Sequence, residues 1–221
     1  MKKSKKAVVL FSGGLDSATV LHMAIDKGFE VHAMTVDYGQ LHSYEINCAK
    51  RIAEEVGVKE HRIPKLDLSE ISESPLTGTG DVPLNREDLG GIAPTYVPAR
   101  NLIFLSLAVA WAETLSADVV FIGVNNVDYS GYPDCRPEFI SAFQVASDLG
   151  TAKGTEGTGV SVHAPLINMA KKDIILEGLK LGVNYSLTNS CYSPREGEAC
   201  GQCDSCMIRQ RAFEEVKSVQ G

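Results

Sequence analysis

The sequence lacks a long apolar run. No stretch approaches the roughly 20 apolar residues that a bilayer crossing requires, so the sequence predicts no membrane span. The basic residues up to Lys6 are followed only by the apolar stretch 7–11 before Ser12, which is too short for the core of a secretory signal peptide. We therefore expect the protein to act in the cytoplasm, where cysteines stay reduced.

An excess of positive charge is also missing. Lys and Arg number 21 against 28 Asp and Glu, which gives a formal net charge of −7 at pH 7. A nucleic acid held by phosphate contacts would favour the opposite sign, so we expect no nucleic-acid partner. The 44% hydrophobic and 22% charged residues are ordinary globular values, which argues against a disordered chain.

Strand and helix patterns alternate along the chain. Short apolar stretches predict strands, and apolar residues at helical spacing predict helices that end at glycine. The predicted strands are 6–11, 30–36, 60–64, 118–123 and 160–164, and the predicted helices are 16–27, 42–56, 99–116, 137–150 and 171–181. This alternation predicts an α/β fold, a parallel twisted sheet with helices on both faces, and a ligand site beyond the carboxyl ends of the strands.

Two segments interrupt the alternation. Segment 66–94 holds Ser, Gly, Pro and acidic residues with weak periodicity, which is typical of a functional lid or a disordered loop. The tail from Cys191 is rich in cysteine. We therefore predict a main domain over 1–185 and a small C-terminal metal module with a helix over 186–221.

A glycine loop, SGGLDS at 12–17, joins the first predicted strand to the first predicted helix. Its glycines let the backbone approach a ligand closely, and a helix N-terminus attracts an anion. The loop has neither the Gly-Lys-Ser/Thr ending of a Walker A motif nor the third glycine of a dinucleotide fingerprint. Asp16 would contact a magnesium ion that accompanies a polyphosphate, or cap the helix. The alternative is an ordinary strand–helix turn.

Four of the six cysteines are spaced C-x8-C-x2-C-x2-C, at Cys191, Cys200, Cys203 and Cys206. Four thiolates suit tetrahedral Zn2+ and leave no open position for catalysis, so the pattern favours a structural zinc. A redox CxxC pair would leave two cysteines unexplained, and an iron–sulfur cluster remains an alternative. Cys48 lies in a predicted helix as a small core residue.

The glycine loop after its buried strand resembles the PP-loop of the N-type ATP pyrophosphatases. The resemblance implies that ATP is cleaved between its α and β phosphates, with AMP attached to a carbonyl oxygen and later displaced by a nitrogen or sulfur nucleophile. It implies catalytic roles for Ser12, Asp16 and Ser17, and Mg2+ bound with the ATP. Lys171, which opens the helix after the last predicted strand, is a further candidate catalytic residue that would contact a phosphate, and a solvated lysine at a helix start is an equal alternative. The implied ATP-binding residues are Phe11, Ser12, Gly13, Gly14, Leu15, Asp16, Ser17, Ala18, Thr19, Asp37, Tyr38, Gly39 and Arg100.

Three further stretches narrow the resemblance: VDYGQ at 36–40, VPARN at 97–101 and SGYPDCRP at 130–137. Together with the cysteine tail they resemble the 7-cyano-7-deazaguanine synthase family of the queuosine pathway. One departure is Ala99, where that family has glycine. The resemblance implies that 7-carboxy-7-deazaguanine is adenylated and attacked by ammonia to give the amide, and that a second ATP activates the amide oxygen to leave the nitrile. It also implies a homodimer.

The substrate-binding residues implied by this resemblance are Arg100, Asn101, Tyr132, Asp134 and Arg136. Asp134 would accept hydrogen bonds from the N–H groups of the base, and Arg136 or Arg100 would hold the substrate carboxylate in a two-point fork. Cys135 is interpreted as a packed neighbour and not a nucleophile. From the stretch alone, a polar turn before a Pro-initiated helix is an equal reading.

Two other classes of protein stay open. A tRNA thiolase or lysidine synthase of the same superfamily would need a basic face. A non-catalytic nucleotide-binding zinc protein would bind ATP without releasing AMP and pyrophosphate. The sequence has no room for a glutaminase domain, so we expect ammonia to be taken free or from a partner.

Overall fold

A computed structural model describes residues 5–40, 44–86, 90–127, 131–195 and 197–220. They form a five-stranded parallel sheet in the order β3-β2-β1-β4-β5. The strands are β1 Lys6–Leu10, β2 Glu30–Met34, β3 Glu60–Arg62, β4 Val119–Ile122 and β5 Ser161–His163. The helices are α1 Leu15–Asp26, α2 Tyr44–Val56, α3 Arg100–Leu115, α4 Pro137–Gly150, α5 Ala152–Thr155, α6 Lys171–Lys180 and α7 Asp204–Gln220.

The sheet is buried on both faces, as a parallel sheet must be. Side chains of β1 alternate between two core clusters: Ala7 and Val9 face one, and Val8 and Leu10 face the other. Strand order reverses at β1, because β2 and β3 lie on one side of it and β4 and β5 on the other. The carboxyl ends of the strands around such a switch point are where ligands of open α/β sheets bind.

The predicted fold class is confirmed, and each predicted strand and helix is present, with bounds that equal the predicted ones or differ from them by one or two residues at an end. Residues 42 and 43 of the second predicted helix lie outside the described residues. The sequence reading missed α5 and the 3-10 turns Pro133–Cys135 and Tyr185–Leu187. Short turns of this kind carry too few residues to show a periodicity.

Segment 66–94 is packed against the rest of the chain where it is described. Leu68, Ser74 and Leu76 are buried. The N–H of Asn85 donates to the Gln202 carbonyl at 2.8 Å, and Arg86 lies 2.7 Å from the Asp204 carboxylate. Disorder is therefore the wrong reading for the described part; residues 87–89 lie outside it.

The C-terminal tail shares a core with the sheet. Ala212 and Val216 of α7 belong to the same buried cluster as Val9 of β1. The predicted boundary between 1–185 and 186–221 stays a prediction, but the two parts are not separated by solvent. In the described part of the chain, no helix has both the length and the apolar character to span a bilayer.

Candidate active site

The glycine loop leaves the N-terminus of α1 open towards a ligand. Gly13 has φ of 83°, and a Cβ there would lie 2.6 Å from the Ala49 backbone nitrogen, so only glycine fits. The Ser12 and Ser17 hydroxyls lie 3.1 Å apart, and the Ser17 hydroxyl also donates to the Gly14 carbonyl at 3.1 Å. These bonds hold the loop in one shape and place two hydroxyls beside the helix start.

Asp16 is not a helix cap. Gly14 occupies the N-cap position of α1, with no side-chain cap bond. Both Asp16 carboxylate oxygens accept from the Lys171 Nζ, at 2.8 and 2.9 Å. The structure therefore brings Lys171, at the start of α6, to the loop, where its charge is offset by Asp16, and its contact with a phosphate stays a prediction.

A cavity of about 310 Å³ opens above the carboxyl ends of β1, β2 and β4. This volume lies at the lower end of the range for small-molecule sites. Gly123, directly after β4, borders it, and a Cβ there would lie 3.1 Å from the Ser17 backbone. Eight of the predicted ATP-binding residues line the cavity: Phe11, Ser12, Gly14, Leu15, Asp16, Ser17, Tyr38 and Arg100.

The other predicted ATP-binding residues lie behind this lining. Ala18 and Thr19 are buried in α1, where the Thr19 hydroxyl lies 2.8 Å from that of Tyr185. The backbone of Asp37 forms an isolated parallel β-bridge with that of Lys65. Gly39, with φ of 80°, approaches the Asp67 side chain closely. Their contacts shape the cavity wall from behind, and their contact with ATP stays a prediction.

Arg100 begins α3 and points its guanidinium into the cavity. It donates to the Tyr38 hydroxyl at 3.4 Å and lies 5.6 Å from the centre of that ring. Among the described residues no carboxylate forms an ion pair with it. A half-buried guanidinium of this kind is a good receptor for an anionic ligand.

The helix that carries Arg100 starts from a strained residue. Ala99 has φ of 57° and ψ of 18°, in the left-handed region that favours glycine. This conformation explains why the resemblance places glycine at this position.

Only some of the predicted substrate-binding residues line the cavity. Tyr132 and Asn101 line it, and the Tyr132 hydroxyl lies 2.7 Å from that of Thr95 and 3.3 Å from that of Tyr192. Arg136 is exposed, and neither it nor Asp134 is among the described residues that line the cavity.

Asp134 is buried and caps α3. Its carboxylate accepts from the Asn101 backbone N–H at 2.9 Å, and its carbonyl accepts from the Asn101 side chain at 3.2 Å. Burial, reinforced by Asp134, raises the pKa of the Cys135 thiol to about 12, which suits a packed neighbour and not a nucleophile. Recognition of the base by Asp134 stays a prediction, whereas its hydrogen bond to the start of α3 is a structural role that the structure shows.

Glu45, in the first turn of α2, is a cavity residue that the sequence analysis missed. Its side chain is half-buried, and burial raises the pKa of its carboxyl to about 7 although Arg100 acts in the opposite direction. An acid in the first turn of a helix ordinarily signals only a dipole interaction, so the sequence carried no sign of this role.

The segment 189–192 and α7 supply the other missed residues. The N–H of Asn189 donates to the Gly13 carbonyl at 3.1 Å, and the Leu15 N–H donates to the Ser190 hydroxyl at 3.4 Å. Tyr192 and Arg209 line the cavity with them. The tail therefore forms one wall of the site, a tertiary relationship that no local pattern reveals.

The four tail cysteines converge as predicted. Their sulfur atoms all lie within 4.8 Å of one another. Backbone N–H groups of Ser193 and Cys200 point at the Cys191 sulfur at 3.4 and 3.2 Å, and those of Gln202 and Cys203 point at the Cys200 sulfur at 3.5 and 3.4 Å. Such donors stabilise thiolates, so the donor set fits Zn2+. Cys48 is buried in α2, in keeping with a core role.

Comparisons with known proteins agree with this geometry. The family model described as "Queuosine biosynthesis protein QueC" matches residues 6–217. A 7-cyano-7-deazaguanine synthase of Desulfatibacillum aliphaticivorans is 54% identical over 219 residues, covering 97% of this chain and 94% of the relative. One of Geotalea daltonii is 55% identical over 215 residues, with 96% and 93% covered. A solved NMN synthetase from Francisella tularensis aligns with a TM-score of 0.52 at 17% identity, over 97% of this chain and 78% of that one.

Proposed function

Since this chain belongs to the queuosine biosynthesis protein QueC family, we propose that its cavity converts 7-carboxy-7-deazaguanine and ammonia to 7-cyano-7-deazaguanine. The protein is an ATP-dependent carbon–nitrogen ligase. Relatives at 54% and 55% identity carry the name 7-cyano-7-deazaguanine synthase, so the tRNA-modifying and non-catalytic readings are not favoured. The observation that carries the mechanism is one cavity lined by an amide-rich helix start, by Arg100 and by Glu45.

ATP binds with its pyrophosphate on the glycine loop. The Ser12 and Ser17 hydroxyls and the open N-terminus of α1 face the charge that develops when the bond between the α and β phosphates breaks. Donors fixed before the reaction stabilise that charge without reorganisation, which is the main source of catalysis in sites of this type. Mg2+ that arrives with ATP would be held by Asp16, and Lys171 would then be released towards the phosphates.

Arg100 holds the substrate carboxylate before adenylation. Its guanidinium offers a two-point fork and, in the part of the chain that the structure describes, donates a hydrogen bond to the Tyr38 hydroxyl and pairs with no carboxylate. Adenylation removes the negative charge of the carboxylate, so the fork binds the acid more tightly than the acyl-adenylate. Tyr132, tied to Tyr192 and Thr95, gives the flat base a rigid aromatic neighbour.

Glu45 accepts the proton that the attacking nitrogen must lose. Ammonia attacks the acyl carbon, the new C–N bond forms, the bond to AMP breaks, and a proton leaves the nitrogen. Among the described lining residues the carboxylates are Asp16 and Glu45, and Asp16 is held by Lys171. A carboxyl with a pKa of about 7 shares a proton readily at neutral pH.

Zn2+ in the four-cysteine cluster would be structural. With four protein ligands it has no open position, so it supplies folding free energy and no Lewis acid. Cys191 borders the cavity, so the metal would hold the wall formed by the tail. The homodimer that the resemblance implies and the cytoplasmic location expected from the sequence both stay predictions.

The test is a product assay on zinc-loaded protein. With ATP, ammonium and 7-carboxy-7-deazaguanine we expect AMP, pyrophosphate and the nitrile, each detected by mass spectrometry, and we expect the amide to serve as a substrate as well. Glutamine should not replace ammonium, because we propose that ammonia itself is the nitrogen donor. ADP with orthophosphate, or turnover that requires tRNA, would contradict the proposal.

A further inference from the structure

Arg209 is a second arginine that lines the cavity, and it lies in the C-terminal tail. It lies on α7, three residues after the zinc-ligand candidate Cys206, and its guanidinium lines the cavity. It donates to the Thr188 hydroxyl at 2.9 Å, the Tyr185 carbonyl at 2.8 Å and the Ser190 hydroxyl at 3.4 Å. All three acceptors are neutral.

The charge of Arg209 has no anionic partner among the described residues. Removing a cation from water is costly unless an opposite charge compensates it. Lys171 in the same cavity has such a partner in Asp16. Arg209 is held by hydrogen bonds to neutral groups and forms no ion pair with a described residue, so it is prepared for a ligand that brings its own negative charge.

The position of Arg209 indicates which part of the ligand this is. The Ser190 hydroxyl accepts from Arg209 and also from the Leu15 N–H, which belongs to the first turn of α1. One hydroxyl thus connects the guanidinium to the loop amides, where an anion is expected. The most strongly charged group that binds this loop is the pyrophosphate half of ATP.

We propose that Arg209 binds the leaving pyrophosphate, so that the tail module supplies a catalytic residue as well as a metal. This inference rests on the proposed use of ATP by the glycine loop but not on the identity of the acyl substrate. Cys206 and Arg209, three residues apart, lie on neighbouring positions of one helix face. A metal bound at Cys206 would therefore fix the helix from which Arg209 reaches the phosphates.

The experiment measures binding of inorganic pyrophosphate and of AMP to zinc-loaded protein by calorimetry with Mg2+. Arg209→Gln should weaken pyrophosphate binding about 10- to 100-fold, since a charge-assisted hydrogen bond is lost, and leave AMP binding within about 2-fold. Arg209→Lys should recover part of the loss. Arg211→Gln, at an exposed position of the same helix, is the matched control and should change neither constant.

Wild-type protein provides a second measurement that does not depend on folding of a variant. An arginine-selective dicarbonyl reagent should modify Arg209, and pyrophosphate but not AMP should block the reaction, as read by peptide mass spectrometry. Unchanged pyrophosphate affinity in folded Arg209→Gln, or equal protection by AMP, would overturn the inference. If pyrophosphate binding depends on Arg209 but 7-carboxy-7-deazaguanine is not consumed, the substrate assignment fails and the inference stands.

Discussion

Glu45→Gln replaces a half-buried ionisable carboxyl with a neutral group of the same shape. In the folded protein the pKa of Glu45 is raised from 4.5 to about 7, mainly because burial disfavours the charged form. Below about pH 4.5 the carboxyl is protonated in both the folded and the unfolded chain, so it costs nothing. As pH rises towards 7 the unfolded chain ionises first, and folding becomes progressively less favourable. Above about pH 7 the cost is constant.

The size of the effect follows from the same pKa values. The interval from 4.5 to about 7, at about 1.4 kcal/mol per pKa unit, corresponds to at most about 3 kcal/mol. Two effects reduce it: the side chain is only half-buried, and a carboxylate in the first turn of α2 gains up to about 1 kcal/mol from the helix dipole. We therefore expect Glu45→Gln to be more stable than wild type by about 1–2 kcal/mol near pH 8 and equal to it near pH 4.5.

Urea unfolding of ligand-free, zinc-loaded protein at several pH values measures this difference. Subtracting wild type at each pH removes the contribution of metal loss at low pH, which both proteins share. Glu54→Gln, at an exposed position of the same helix, is the control and should show no gain that grows with pH. A gain that is the same at every pH would refute the reasoning, because it would not come from the titration of Glu45. A loss of stability near pH 8 would also refute it, because Glu45 would then be ionised and stabilised by Arg100.

Three further changes test other parts of the site. Cys200→Ser removes a metal ligand that does not line the cavity and should lower the zinc content from about one per chain and the unfolding free energy by several kcal/mol; iron–sulfur absorption, or an unchanged melting temperature, would contradict a structural zinc. Asp134→Asn should weaken binding of 7-carboxy-7-deazaguanine by about 2–4 kcal/mol and spare ATP, as measured by calorimetry; intact binding would leave Asp134 as a cap of α3 only, a role that asparagine also fills. Ala99→Gly should raise the unfolding free energy by about 0.5 kcal/mol. The strain energy that is removed from the left-handed conformation exceeds the free-energy cost of the entropy that glycine adds to the unfolded chain. Destabilisation would show that Ala99 is not strained.

The sheet and its helices could be predicted because each depends on a local apolar pattern. The glycine loop and the four cysteines could also be predicted, since their chemistry is contained in short stretches with fixed spacing. The ion pair between Lys171 and Asp16 could not be predicted in this way, because the two residues lie 155 positions apart. What could be predicted therefore lies within one strand–helix unit or within one motif.

The missed residues share a different cause. Glu45 is unusual only because Arg100 and the cavity wall enclose it, and Arg209 matters only because α7 packs against the sheet. The capping role of Asp134 was missed because its backbone partner, the Asn101 N–H, lies 33 residues earlier in the chain. Burial and long-range hydrogen bonds of this kind are set by tertiary packing, and no window of neighbouring residues contains them.

The bond between the Leu15 N–H and the Ser190 hydroxyl joins residues 175 positions apart. During synthesis the glycine loop emerges about 175 residues before the wall that completes it. A nascent chain that ends before Asn189 holds a sheet and a loop without Arg209, Ser190 or the cysteine cluster. Pairing distant parts of a chain is the slow step of folding. The order of translation therefore keeps the candidate site unfinished until the tail has folded, and a prematurely terminated chain would present an incomplete cavity.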